Sequence, residues 1–158
     1  MLIPGADQQQ KKGRMLMADL VDTAARLGIN TITIEAQDIG RYAWARFGFV
    51  PDRSSWMWHV RIEARRRLLA ARAELSDDLL RAYGAVLDGE NPKLIRLVAS
   101  WPELVTSMIN FNADTGRPEK VPLGQALLLE TQAQWFGTFE LDDSETMEIF
   151  TRYVGRKE

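Results

Sequence analysis

The chain has 158 residues, 46% of them apolar and 27% charged, with a formal net charge of -2. That balance fits one globular unit or two small ones and carries no charge excess that directs the chain to nucleic acid or a membrane. It contains no cysteine, so disulfide scaffolds, thiolate zinc sites and cysteine nucleophiles are excluded.

The longest apolar run is too short to span a bilayer, and the first residues lack the basic-then-apolar order of a signal peptide. A cytoplasmic location with no membrane partner is therefore expected. The one histidine, His59, has no second histidine to help it hold a metal, so no metal site is expected. It reads as a helix-surface or partly packed imidazole.

In chain order, Gln8 to Leu16 (QQQKKGRML) reads as a basic, glycine-punctuated turn, with Met1 to Ala6 before it as the end of one strand. From Arg14 to Leu27 the residues Leu16, Leu20, Ala24 and Leu27 recur at helical spacing, and Gly28 closes that helix. Thr31 to Ala36 (TITIEA) alternates and is rich in β-branched residues, as a strand requires. A short helix follows from Ile39 to Phe47, ending at Gly48, with a brief strand at Phe49 and Val50.

Beyond Pro51, Ser54 or Ser55 is positioned to cap a long helix reaching Leu75, and Ser76 to cap another that stops at Asp88-Gly89. PKLIRLVAS and PELVTSMI read as further helices, and Asn110 to Pro122 as loop. Gln125 to Thr131 is ambiguous between strand and helix. Trp135 to Leu141 alternates like a strand, and Ser144 caps a last helix ending at Tyr153 or Val154. The expected class is α/β (α+β), divided into residues 1–58 and a mainly helical extension over residues 59–158.

A glycine turn followed at once by a helix offers free amide groups to an anion, and Lys11, Lys12 and Arg14 would reinforce it. Together with the strand TITIEA, the short helix and Gly48-Phe49, this order of parts resembles the second half of the GNAT family of acetyl-CoA-dependent N-acetyltransferases. The resemblance covers roughly residues 2 to 50, about a third of the chain. Gln10, Lys11, Lys12, Gly13, Arg14 and Met15 partly match the family's Gln/Arg-x-x-Gly-x-Gly/Ala motif, which wraps the coenzyme A pyrophosphate. Gln37 falls where the family often has a cofactor-facing asparagine. Trp44 falls where the family's Tyr-x-x-x-Gly-Phe pattern has its tyrosine, ahead of Gly48 and Phe49.

The departures have chemical weight. Met15 crowds a loop that needs a small residue. The indole of Trp44 donates a hydrogen bond but cannot protonate a leaving thiolate, and Tyr42 lies about 200° away around the helix. Glu35 is more simply a solvent-facing strand residue than a general base, so no catalytic residue is assigned. The three strands and two helices that precede the glycine turn in the family are not seen. Either Met1 is an internal start of a larger protein, or the fragment serves as a scaffold, which is the favoured alternative.

The resulting expectation is a non-catalytic GNAT-like binding or assembly module, a piece of a larger assembly, with weak or absent acetyl-CoA binding. The alternative is an acetyl-CoA-dependent N-acetyltransferase whose site is completed by another subunit or an N-terminal half. A homo-oligomer is expected because a few short strands leave an open edge. Arg61, Arg65, Arg66, Arg67 and Arg72 face only Glu63 and Glu74 locally. The acidic stretch from Glu140 to Glu148 offers them partners, so nucleic acid is not the expected ligand. The tryptophans Trp56, Trp58, Trp101 and Trp135 are expected as anchors between the two regions.

Overall fold

The computed structural model describes residues 6–155, and the side chains of residues 10–155. Residues 1–5, where the end of a strand was expected, lie outside the described residues, and Ala6 already belongs to a helix. That helix, α1 (Ala6–Arg26), is followed by β1 (Thr31–Ala36), α2 (Gly40–Phe47) and β2 (Val50–Pro51). Next, α3 (Arg53–Ser55), a π-helical turn (Trp56–Val60) and α4 (Arg61–Ala70) run on as one helical stretch. The chain continues through a 3-10 turn (Arg72–Glu74), α5 (Asp77–Asp88), α6 (Leu94–Ala99), β3 (Leu104–Phe111), β4 (Pro118–Pro122), α7 (Leu123–Leu129), β5 (Trp135–Glu140) and α8 (Ser144–Val154). The class is mixed α and β with two small antiparallel sheets.

The first sheet has the order β1-β5-β2, and the second is the β3-β4 hairpin. β5 lies antiparallel to β1 from Thr31 opposite Glu140 to Ala36 opposite Trp135, and its other edge takes Val50 opposite Thr138. Strands from both sides of residue 58 therefore share one sheet, and residue 58 itself falls within the continuous helical stretch. Phe49, Trp56, Leu68, Ile95, Leu127, Trp135 and Phe139 share one buried cluster.

α2 ends as its sequence anticipates. Gly48, at φ 107°, lets the Phe49 N–H bond the Trp44 carbonyl (3.0 Å) and its own N–H bond that of Ala45 (3.2 Å). This is the Schellman arrangement, whose usual companion is an apolar contact between the residue after the glycine and the third helical residue from the end. Here the rings of Phe49 and Trp44 meet edge-on at 5.1 Å. The pattern Trp44-x-x-x-Gly48-Phe49 is thus satisfied inside the fold, as a helix stop with its apolar clasp.

Several expectations are corrected. PELVTSMI forms strand β3 and not a helix, and residues 118–122 of the expected loop pair with it as β4. Residues 125–129 are helical. The cap of α8 is Asp143, one residue before Ser144, and accepts from the Thr146 N–H at 3.1 Å. On α1 the buried residues are Met17, Val21 and Ala24, whereas Leu16, Leu20 and Leu27 stay exposed. Trp56, Trp101 and Trp135 are buried anchors, but Trp58 is two-thirds exposed.

Candidate functional site

The glycine turn is not formed. Gln10 to Met15 lie inside α1, beyond its first four residues, so their amide groups are directed along the helix and no backbone cradle opens at Gly13. The reason is propensity: one glycine costs about 1 kcal/mol in a helix, and its neighbours Gln, Lys, Arg and Met favour one. Nor does Gly13 meet a space constraint, since a Cβ there would touch nothing within 4 Å. Gln10, Lys11, Lys12 and Met15 are exposed. Arg14 turns inward, its guanidinium 4.9 Å above the Tyr153 ring of α8.

Gln37 is exposed in the turn after β1, where its carbonyl accepts from the Gly40 N–H at 2.9 Å. Trp44 is half-buried on α2. A Cβ at Gly40 would come within 2.7 Å of its indole Nε1, so the glycine makes room for the ring. The expected site residues are therefore spread over α1, a turn and α2, and no geometry joins them into one pocket.

A cleft of about 840 Å³ opens instead between α2, α6 and α8. Four cationic side chains line it, Arg46, Lys93, Arg96 and Arg152, against the single carboxylate of Glu145. Its apolar wall includes Leu97, Trp101 and Ile149. Trp101 is fixed from behind by the Tyr83 ring, stacked at 3.9 Å. The Tyr83 hydroxyl donates to Glu103 at 2.6 Å, and burial together with that bond pushes its pKa up to about 12.

Arg96 is the most constrained of the four cations. Its side chain is 7% exposed. Nε and Nη2 donate to the Gly48 carbonyl at 3.1 and 2.7 Å, and Nη2 also reaches the Thr146 hydroxyl. Arg96 thereby ties the end of α2 to the first turn of α8. Its Nη1 is buried with no hydrogen-bond acceptor among the described residues, 3.7 Å from Glu145. Desolvation lowers the Arg96 pKa, partly offset by Glu145 and Asp143.

Arg46 lines the same cleft from α2. Its guanidinium lies between the rings of Tyr42 (5.5 Å) and Tyr153 (4.6 Å), and donates to the Tyr42 hydroxyl at 2.6 Å. These contacts orient the charge without neutralising it.

The sequence reading did not single out these cations. One signal was present: Arg96 is the lone charge in the apolar run LIRLVA, and a cation in the buried stripe of a short helix demands partners. A second, smaller cavity of about 380 Å³ adjoins Asp38, Arg41 and Glu130. There Arg41 donates to the carbonyls of Leu129 and Thr131 and so closes the end of α7. Among the described residues no cluster of His, Cys, Asp and Glu is placed to hold a metal, and no helix is long and apolar enough to cross a membrane.

Comparison with protein-family models, with curated proteins and with solved structures finds no match to the chain.

Proposed function

We propose that this chain is a non-catalytic, GNAT-like binding or assembly module whose working surface is α1 together with the outer edge of β1. The observation that carries this reading is an apolar face left uncovered. Around α1, at about 100° per residue, the apolar arc runs from Leu16, Leu20 and Leu27 to Met17, Val21 and Ala24. The packing within the chain covers only the second half of that arc. Leu16 and Leu27 are 72% and 71% exposed, and Leu20 between them is 45% exposed. A contiguous apolar patch of this kind marks an interaction surface.

β1 adds a second element. Among the described residues it has a strand on one side only, so its other row of N–H and C=O groups is unpaired. The partner is a second copy. A two-fold, antiparallel pairing of β1 with itself centred on Thr33 sets Ile32 against Ile34 and Thr31 against Glu35, with no like charges opposed. The strand-helix-strand order of residues 31–51 supports the resemblance to acetyltransferases, while the unbroken helix through Gly13 favours the non-catalytic branch over the catalytic alternative.

Light scattering coupled to size-exclusion chromatography tests this. A dimer at micromolar protein that Leu16→Glu with Leu20→Glu converts to monomer, with an unchanged circular dichroism spectrum, is expected. An 18.0 kDa monomer at every concentration overturns it.

A further inference from the structure

We propose that the cleft between α2, α6 and α8 is a binding site for a small organic phosphate, held by Arg46, Lys93 and Arg96, with the Glu145 carboxylate as its internal competitor. This site is separate from the α1 and β1 surface.

The volume, about 840 Å³, is that of a small-molecule pocket and too large for a single inorganic ion. The charge is unbalanced: four cations face one carboxylate. Of the four, Arg152 is engaged by Glu148 at 2.6 Å, outside the cleft's own set. Arg46 has no carboxylate within ion-pair distance among the described residues, although two tyrosine rings hold it in a fixed orientation. Lys93 and Arg96 share Glu145, at 3.2 and 3.7 Å, and Lys93 also lies 3.9 Å from Asp143, which is itself bonded to Thr146.

The Arg96 Nη1 decides the reading. A buried guanidinium nitrogen without an acceptor is costly, and the rest of the same group is rigidly bonded to Gly48 and Thr146. The group is therefore held in place with one N–H edge unused. Glu145 lies nearest to it, too far for a hydrogen bond and 58% exposed, on the first turn of α8. Such a carboxylate can swing into solvent at little cost, and an incoming anion then takes its place between Lys93 and Arg96.

The ligand class follows from the cations. Three charges lining one cleft from α2 and α6, two of them planar guanidinium forks, match a dianion with several oxygens better than a monocarboxylate. The Leu97, Trp101 and Ile149 wall asks for an apolar or ring-bearing body on the phosphate.

The probe is phenyl phosphate, titrated calorimetrically into the full chain at low salt. Saturable binding is expected, weakened about tenfold by Arg46→Gln. Glu145→Gln should tighten it several-fold, because the competitor loses its charge, and Arg53→Gln, outside the cleft, should leave it unchanged. Arg96→Gln should abolish it. Because that variant also loses the tie between α2 and α8, Arg46→Gln and Glu145→Gln carry the test if it fails to fold. No binding at millimolar phenyl phosphate, affinities unchanged in both Arg46→Gln and Glu145→Gln, or benzoate binding as tightly as phenyl phosphate would each overturn the proposal.

Discussion

Arg67 of α4 and Glu130, just past α7, form an ion pair of 2.8 Å with side chains only 4% and 2% exposed. Glu130 also accepts from the Ser107 hydroxyl at 2.7 Å and the Met108 N–H at 2.9 Å, and Arg67 donates to the Thr106 carbonyl at 2.9 Å. One buried network thus joins α4, β3 and the end of α7. Removing one partner strands the other charge in a dry interior, which costs about 3–5 kcal/mol. Arg67→Met is expected to destabilise by that amount in chemical denaturation, and the double variant with Glu130→Met by clearly less than the sum of the singles. Additive losses would mean that the two groups do not interact.

A second prediction concerns the stop of α2. Gly48 adopts φ 107°, and an added Cβ would lie 3.3 Å from the Thr146 carbonyl oxygen and in contact with Phe139 and Ile149. Gly48→Ala should lower stability by about 1–3 kcal/mol, read as a lower melting temperature. Gly13→Ala, in an exposed helix interior, should raise stability by up to about 1 kcal/mol. If Gly13→Ala lowered it instead, the stretch from Gln10 to Met15 would not be the helix described.

Acid sensitivity gives a third. Hydrogen bonds from Thr146 lower the Asp143 pKa, and those from Lys120 and Thr106 lower that of Glu74. Both carboxyls titrate lower in the fold than in the unfolded chain, so the unfolded chain binds protons first as pH falls. Their contribution is complete above the unfolded value near pH 4 and is lost progressively below it. Asp143→Asn should flatten the decline in melting temperature below about pH 5, and Glu74→Gln should do the same, both modestly because each carboxylate is partly open to water.

The arginine-rich helix supplies the fourth. Arg65 pairs with Asp88, Arg66 with Glu63 at 2.8 Å and Arg67 with Glu130, while Arg61 donates to the Asp88 carbonyl at 3.1 Å. Their partners are not the acidic stretch from Glu140 to Glu148 that the sequence suggested. With those charges engaged, association with generic DNA or RNA at physiological salt should be undetectable in a filter-binding assay. A steep salt dependence abolished by Arg65→Gln and Arg66→Gln would contradict this.

Where local chemistry settles local structure, the sequence was legible. TITIEA forms β1 to the residue, Gly48 ends α2, Ser76 caps α5 by accepting from the Leu79 N–H at 3.2 Å, and Trp135–Glu140 is a strand. β3 was missed because its inward-facing row is Val105 and Ser107. A buried serine breaks the apolar alternation; its hydroxyl is satisfied by donating to Glu130, distant in sequence, and by accepting from the N–H groups of Ile109 and Asn110. α1 was misjudged differently: its apolar arc is broad, and composition does not reveal which half the rest of the chain covers. Of the cleft only the lone Arg96 in LIRLVA could be read, because its cations come from different helices whose approach is a tertiary fact.

The order of strands in the first sheet has a consequence for biosynthesis. β5, the central strand, is made last, and its partners along β1 lie about a hundred residues earlier in the sequence. At roughly 5–20 residues per second, a ribosome needs on the order of 5–20 s to supply it after β1 has emerged. Throughout that interval β1 and β2 have no strand between them, and Ile32 and Ile34 await their cover. A chain released before residue 135 would lack the central strand of its first sheet while retaining the residues of the β3-β4 hairpin. It would carry sticky strands of the kind that recruit chaperones and proteases.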